Sequence, residues 1–153
     1  MLRGAGPTLE VLCLRRGSGG RSPGSWEAVH GHIDPGEAPV ATGFREVREE
    51  AGAEPERLYN LSRVEMFYRH TTDEMVLVPV FAAFLASNAV VRLSREHDAF
   101  EWLPPPEARA RMSWPRVRRE IDDLVGLLRE GNAGLLEDML RVRSEQPEAR
   151  SQE

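Results

Sequence analysis

Three glutamates, Glu46, Glu49 and Glu50, crowd into the short run REVREEAGA from Arg45 to Ala53. At spacings of three and four they share one helix face, where like charges repel by roughly a few tenths of a kcal/mol per pair. Clustered carboxylates are the ligands that hard divalent cations take. Mg²⁺ in particular keeps several waters and bridges to substrate phosphates. The competing reading is a solvated charged face neutralised by Arg45 and Arg48. The run alone leaves both open.

The elements that must position these acids can be read along the chain. Val40, Phe44, Val47 and Ala51 are spaced four, three and four apart, an apolar stripe adjoining the acidic sector. A helix is therefore expected from about Pro39 to Ala51, stopped at Gly52. Gly43 inside it costs about 1 kcal/mol relative to Ala unless another backbone approaches closely. The DPG of Asp34–Gly36 has turn chemistry just before it. Upstream, LEVLCL (Leu9 to Leu14) reads as a buried strand, GSGGRSPGS as a loop, and WEAVHG (Trp26 to Gly31) as a second short strand.

Downstream, strands are expected at Asn60 to Tyr68 and Met75 to Leu85. The second is nearly all apolar, as for a strand covered on both faces, with Pro79 marking an edge or a bulge. VVRL and AFEWL (Ala99 to Leu103) read as further short strands, and PPP (Pro104 to Pro106) breaks the chain. Ser113 is a reasonable N-cap, with Pro115 in the first turn of a helix striped by Val117, Ile121, Leu124, Val125 and Leu128. After GNAG a shorter helix is expected from Leu135 to Val142, then a polar disordered tail. Strands and helices mix without regular βαβ alternation. The expected fold is thus α/β (α+β), a mixed central sheet between helices, with one domain over residues 1–143 and a disordered tail over 144–153.

Composition bounds the partners. A net charge of −5 argues against a general nucleic-acid binder. No apolar run approaches the roughly 18 residues that span a bilayer, and MLRGAGPT lacks a signal-peptide core. The single cysteine, Cys13, sits in an apolar run, which suits a buried small side chain and a cytoplasmic setting. All 20 basic residues are Arg. The absence of Lys excludes Schiff-base and P-loop chemistry and leaves guanidinium forks, which suit phosphate.

The wider spacing separates the two readings of the acids. Gly31, five residues, Glu37, seven residues, then REVREEAGA fills the Nudix box: Gly, five of any, Glu, seven of any, Arg-Glu-aliphatic-any-Glu-Glu-any-Gly-aliphatic. Only Ala53 is smaller than usual. Seven fixed positions at about 7% background each match by chance on the order of 10⁻⁸ per register. The chain resembles the Nudix hydrolases (MutT-like), which cleave a diphosphate linked to another moiety. SREHDAFEWL and MSWPRVRREI are similar to the later part of the dihydroneopterin triphosphate and dATP pyrophosphohydrolase branch. The likeness runs from about Leu9 to Leu128. Two departures stand out. Only MLR precedes GAGP where relatives carry a full inner strand, so that strand is expected to be truncated and the native chain longer. His30 stands where many relatives have a second Gly.

The resemblance implies an enzyme that uses Mg²⁺ (or Mn²⁺), gathered by Glu46, Glu49, Glu50 and the Gly31 carbonyl, with Glu37 and Arg45 pairing behind the site. It makes Glu46 the acid that orients or deprotonates the attacking water. Glu96 is the further ligand or base, ahead of Glu65, Asp73 and Glu74, with His97 a lesser candidate. His30 and His32 suit loop roles rather than metal ligation. Arg16 ends its strand where relatives contact phosphate, and Trp26 and Tyr68 are suited either to stacking on a base or to the core; Trp102 and Trp114 are assigned to packing. The implied reaction is hydrolysis of a nucleoside triphosphate or dihydroneopterin triphosphate-like compound to pyrophosphate and a monophosphate, by a monomer or homodimer. The alternatives are cleavage of diadenosine polyphosphates or nucleotide sugars, and a non-catalytic nucleotide-binding Nudix module.

Overall fold

A computed structural model describes residues 1–142. The expected tail over 144–153 lies outside the described residues. The chain orders as β1 (Leu2–Arg3), β2 (Glu10–Arg16), β3 (Trp26–Glu27), α1 (Pro39–Ala51), β4 (Arg57–Arg69), β5 (Glu74–Phe84), β6 (His97–Leu103), α2 (Pro105–Arg111), α3 (Pro115–Leu128), α4 (Glu137–Leu140) and β7 (Arg141–Val142). The strands form one mixed sheet in which β1 is antiparallel to β2 and parallel to β5. β1 and β3 pair with opposite ends of β2, and β6 runs along it from Val11 to Arg16. The β4–β5 hairpin and β7 complete it.

Helices cover both faces, as expected. On one, Leu58, Ala83 and Leu85 meet Val47 and the half-buried Val40 and Phe44 of α1, while Leu12 and Leu14 meet Ala51. On the other, Val11, Cys13, Tyr59 and Phe84 meet Met112, Val117, Ile121 and Leu124 from the α2–α3 region. The two apolar stripes read from the sequence are the two docking faces. The inner strand is two residues long, yet Leu2 is fully buried and bridges β2 to β5.

α1 has the expected bounds and ends at Gly52 in the left-handed region (φ 62°), with Arg92 Cβ 2.8 Å from where a Cβ would lie. Gly43 is different. A Cβ there would sit 3.7 Å from Phe81 and 3.9 Å from Leu58, which is ordinary contact. No close approach requires glycine, so Gly43→Ala is expected to raise stability by about 1 kcal/mol, read from denaturant or thermal melts.

Several expectations are corrected. β3 keeps only two residues of WEAVHG, because the Ala28 carbonyl is taken by the ring of His30. VVRL is not a strand: Arg92 and Ser94 donate backbone N–H groups to Ala51 and Glu50, closing the end of α1. The N-cap of α3 is Trp114, and Ser113 instead exchanges hydrogen bonds with the Trp26 backbone. The last helix stops at Leu140, where the chain turns into β7 beside β4. Finally, β5 is covered on both faces only in its second half. Met75 and Leu77, with Val64, Met66 and Tyr68 on the paired strand, stay exposed where the hairpin outruns α1. Pro79 sits beside a register shift in β4, as a residue without an N–H should.

Candidate active site

The loop before α1 is tied to the helix by charge. Asp34–Gly36 forms the expected turn, with Gly36 at φ 84° and the Glu37 N–H donating to the Asp34 carbonyl at 2.9 Å. Arg45 donates from Nε and Nη2 to the two oxygens of Glu37 at 3.0 and 2.9 Å, and from Nη2 to the His32 carbonyl at 2.8 Å. The Thr42 hydroxyl adds a bond to Glu37 at 2.8 Å. These bonds, Arg45's first and Thr42's second, hold the Glu37 carboxyl down at about 2. Glu37 and Arg45 thus meet through both carboxylate oxygens. Arg45 also reaches forward: its Nη1 contacts Glu46 at 2.6 Å and Glu49 at 3.2 Å.

Among the described residues no cation is bonded to Glu50. It is buried in the last turn of α1, where the helix dipole opposes an anion, and its Oε2 is buried with no hydrogen-bond partner. Burial above all, then the charges of Glu46, Glu96 and Glu27, push its carboxyl up to about 8, with Arg16 acting weakly in the other direction. Glu46 lies against Gly31, where an added Cβ would fall 1.9 Å from its carboxyl carbon. The glycine of the box is the space in which the Glu46 carboxyl rests.

The expected ligands Gly31, Glu46, Glu49, Glu50 and Glu96 do not stand as a closed cage. Among the described residues no three His, Cys, Asp or Glu side chains are grouped to hold an ion. Arg45 engages Glu46 and Glu49, and Arg16 engages Glu96. The donor chemistry nevertheless fits a hard divalent cation: an all-oxygen set whose buried member, Glu50, has an unpartnered oxygen in the field of three more carboxylates.

On the same face as Glu50, three strand ends meet. Arg16 donates to Glu27 at 2.6 Å and to Glu96 at 3.0 Å, and His97 Nε2 lies 3.2 Å from the same Glu27 oxygen. Glu27 was not singled out from the sequence. Its signal was available: beside Trp26 in a strand it must face the opposite side of the sheet.

Trp26 accordingly faces away from the acids. Arg111 stacks on its ring at 4.9 Å beside an open cavity of about 440 Å³ lined also by Leu103, Glu107 and Ala110. Tyr68 is exposed near the hairpin tip, its hydroxyl bonded to Asp73 at 2.9 Å. The structure brings neither to the acidic cluster. Of the alternatives to Glu96, Glu65 is buried on the α3 face, ion-paired with Arg63 and Arg119, while Asp73 lies in the hairpin turn and Glu74 begins β5 at the hairpin tip. His30 is bonded to Ala28 and contacts Arg116 at 3.3 Å; burial lowers its pKa. Trp102 packs in the α1-side core under Arg3, and Trp114 packs beside the α3-side core.

An intact Glu-bearing helix fastened to its loop by an Arg–Glu pair, on a mixed sheet between helices, is the arrangement the box implies. The NUDIX domain family matches residues 1–124, and the chain belongs to that family. It is 35% identical over 103 residues to the asymmetrical bis(5′-nucleosyl)-tetraphosphatase of Mus musculus, covering 66% of this chain and 68% of that protein. It is 31% identical over 128 residues to an octanoyltransferase of Myxococcus xanthus, covering 79% of this chain and 34% of that protein. The chain therefore spans about a third of the length of the latter relative. The structure of the E. coli dihydroneopterin triphosphate pyrophosphohydrolase superposes with a TM-score of 0.63 at 24% identity, covering 81% of this chain and 90% of that one. No helix among the described residues is long and apolar enough to cross a membrane.

Proposed function

We propose that the chain is a divalent-metal-dependent pyrophosphohydrolase that cleaves a diphosphate linkage in a nucleoside triphosphate or dihydroneopterin triphosphate-like compound, releasing pyrophosphate and a monophosphate. The observation that carries the reading is Glu50, a buried acid inside a complete box whose Oε2 has no hydrogen-bond partner among the described residues. A structural role would be served as well by a neutral side chain; an acid kept there at the expense of its own ionisation suits an incoming positive charge. Glu46, Glu49, Glu50, Glu96 and the Gly31 carbonyl would hold Mg²⁺ or Mn²⁺. When bound, such an ion screens the diphosphate, stabilises transition-state charge and lowers the pKa of an attacking water.

The chain's own residues supply the rest. Glu37 and Arg45 fix the Gly31–Glu37 loop against α1, so that the Gly31 backbone and the Glu46 carboxyl keep their contact. Glu46 orients or deprotonates the water from that position. Arg16, at the end of β2, offers its guanidinium to a phosphate. The proposed setting is cytoplasmic, as a monomer or homodimer, with a small-molecule polyphosphate as partner.

A second reading is favoured by the 35% identity to the tetraphosphatase: cleavage of a dinucleoside polyphosphate at the same acids. One experiment tests both. The purified chain with Mg²⁺ or Mn²⁺ is offered nucleoside triphosphates, dihydroneopterin triphosphate, dinucleoside polyphosphates and nucleotide sugars, and products are separated by anion exchange. Pyrophosphate with a monophosphate is expected. A mono- and a triphosphate from a dinucleoside tetraphosphate would move the assignment to the second reading, and no turnover on any member would reject both in favour of a nucleotide-binding module.

A further inference from the structure

Arg16 divides one guanidinium between two carboxylates in different surroundings. Its Nε donates to Glu27 Oε1 at 2.6 Å and its Nη1 to Glu96 Oε2 at 3.0 Å. The Glu27 side chain is 8% exposed and that of Glu96 is 58% exposed. A buried carboxylate that loses its cation is left as an uncompensated charge, whereas an exposed one is rehydrated at little cost. The Nε–Glu27 contact is therefore the fixed end of Arg16, and the Nη1–Glu96 contact the exchangeable end.

A second donor reinforces the fixed end. His97 stands opposite Arg16 in the β2–β6 register, and its ring is wholly buried. Its Nε2 lies 3.2 Å from Glu27 Oε1, while its Nδ1 is buried without a partner among the described residues, so the ring's hydrogen bond there is the one to Glu27. The Gly17 N–H donates to the Glu96 carbonyl at 2.8 Å, keeping the two strand ends together.

We propose that Glu27 is a positioning residue that clamps Arg16 through Nε, with His97 as second donor, so that the Nη end of the guanidinium can pass from Glu96 to a phosphate of the substrate. The identity of that phosphate rests on the pyrophosphohydrolase reading; the clamp is a property of this chain. Once Glu96 turns to another partner, Arg16 keeps its place at Nε and presents a planar fork suited to a phosphate. Without Glu27, Glu96 is the carboxylate that stays hydrogen-bonded to Arg16 among the described residues, and a phosphate must compete with it for an unanchored guanidinium.

The test uses inorganic pyrophosphate titrated calorimetrically into the metal-free chain. Wild type, Glu27→Gln, Arg16→Ala and the double variant are compared, with thermal melts alongside. Removing a negative charge near an anion site should by itself tighten anion binding. The clamp predicts the opposite: Glu27→Gln weakens pyrophosphate about tenfold, and the double variant is no weaker than Arg16→Ala alone. In turnover, Glu27→Gln should raise KM more than it lowers kcat. Unchanged or tighter binding in Glu27→Gln, additive losses in the double variant, or no pyrophosphate binding by the wild type would each overturn the proposal. If Glu27→Gln does not fold, Arg16→Lys replaces it: the charge is kept, the two-ended fork is lost, and wild-type affinity there would count equally against the clamp. Pyrophosphate binding needs no turnover, so an inactive substrate panel with the coupling intact would reject only the catalytic reading.

Discussion

Glu50→Gln is expected to lower turnover of a diphosphate substrate by roughly a hundredfold or more, while raising the melting temperature of the metal-free protein at alkaline pH. The two effects have one cause. In the folded chain, burial and the neighbouring carboxylates raise the Glu50 carboxyl to about 8, against about 4.3 when unfolded. Between those values the native state holds a proton that the unfolded state has released. The group's contribution to stability is thus complete below about pH 4 and is lost as pH rises through about 8. Glutamine has nearly the same shape and no charge to bury, so the variant escapes that loss. Melts in a chelator should show the variant's advantage widening from about pH 5 to about pH 8 and then levelling off. A constant difference across that range would mean that Glu50 is already paired and would remove the main support for a cation site. Unchanged hydrolysis would reduce the three acids to a solvated helix face.

Gly31→Ala is expected to damage activity with little effect on stability. The new methyl would fall 1.9 Å from the Glu46 carboxyl carbon and 2.0 Å from Oε1. These atoms end a flexible side chain, so the fold yields by swinging the carboxyl aside. That costs the 2.6 Å contact with Arg45 and leaves Glu46 displaced from its resting place. Misplacing a catalytic group by about 1 Å can cost on the order of a hundredfold. We expect kcat to fall about 10- to 100-fold, with stability changed by less than about 1 kcal/mol. Steady-state kinetics beside a denaturant melt separate the two; a normal kcat would remove Glu46 from the chemistry, and a large loss of stability would make Gly31 a packing residue.

Both variants probe features visible in the sequence, and for the same reason. α1, its Gly52 stop, the Asp34–Gly36 turn and the Glu37–Arg45 pair all arise within one short segment. There helix periodicity and turn chemistry fix which side chains share a face. The box spacing added the family. Periodicity also identified the faces that α1 and α3 bury, since an apolar stripe has few other places to go.

What the sequence did not contain was the relation between distant segments. Arg16, Glu27 and His97 are separated by eleven and seventy residues, and they meet only because β3 and β6 both pair with β2, β6 with a register shift between Arg15 and Arg16 that sets His97 opposite Arg16. The same pairing turned Trp26 away from the acids, because alternate residues of a strand face opposite sides. Local propensity misread VVRL, whose Arg92 N–H closes the end of α1, and it missed the exposed outer half of the β4–β5 hairpin. Coverage of a strand depends on how far the neighbouring helix reaches. The sequence by itself determined the acidic helix, its anchoring pair and the family. Tertiary structure alone decided that Glu50 is the buried acid whose Oε2 has no hydrogen-bond partner among the described residues and that Arg16 is held from behind, because burial and strand register are properties of the assembled sheet.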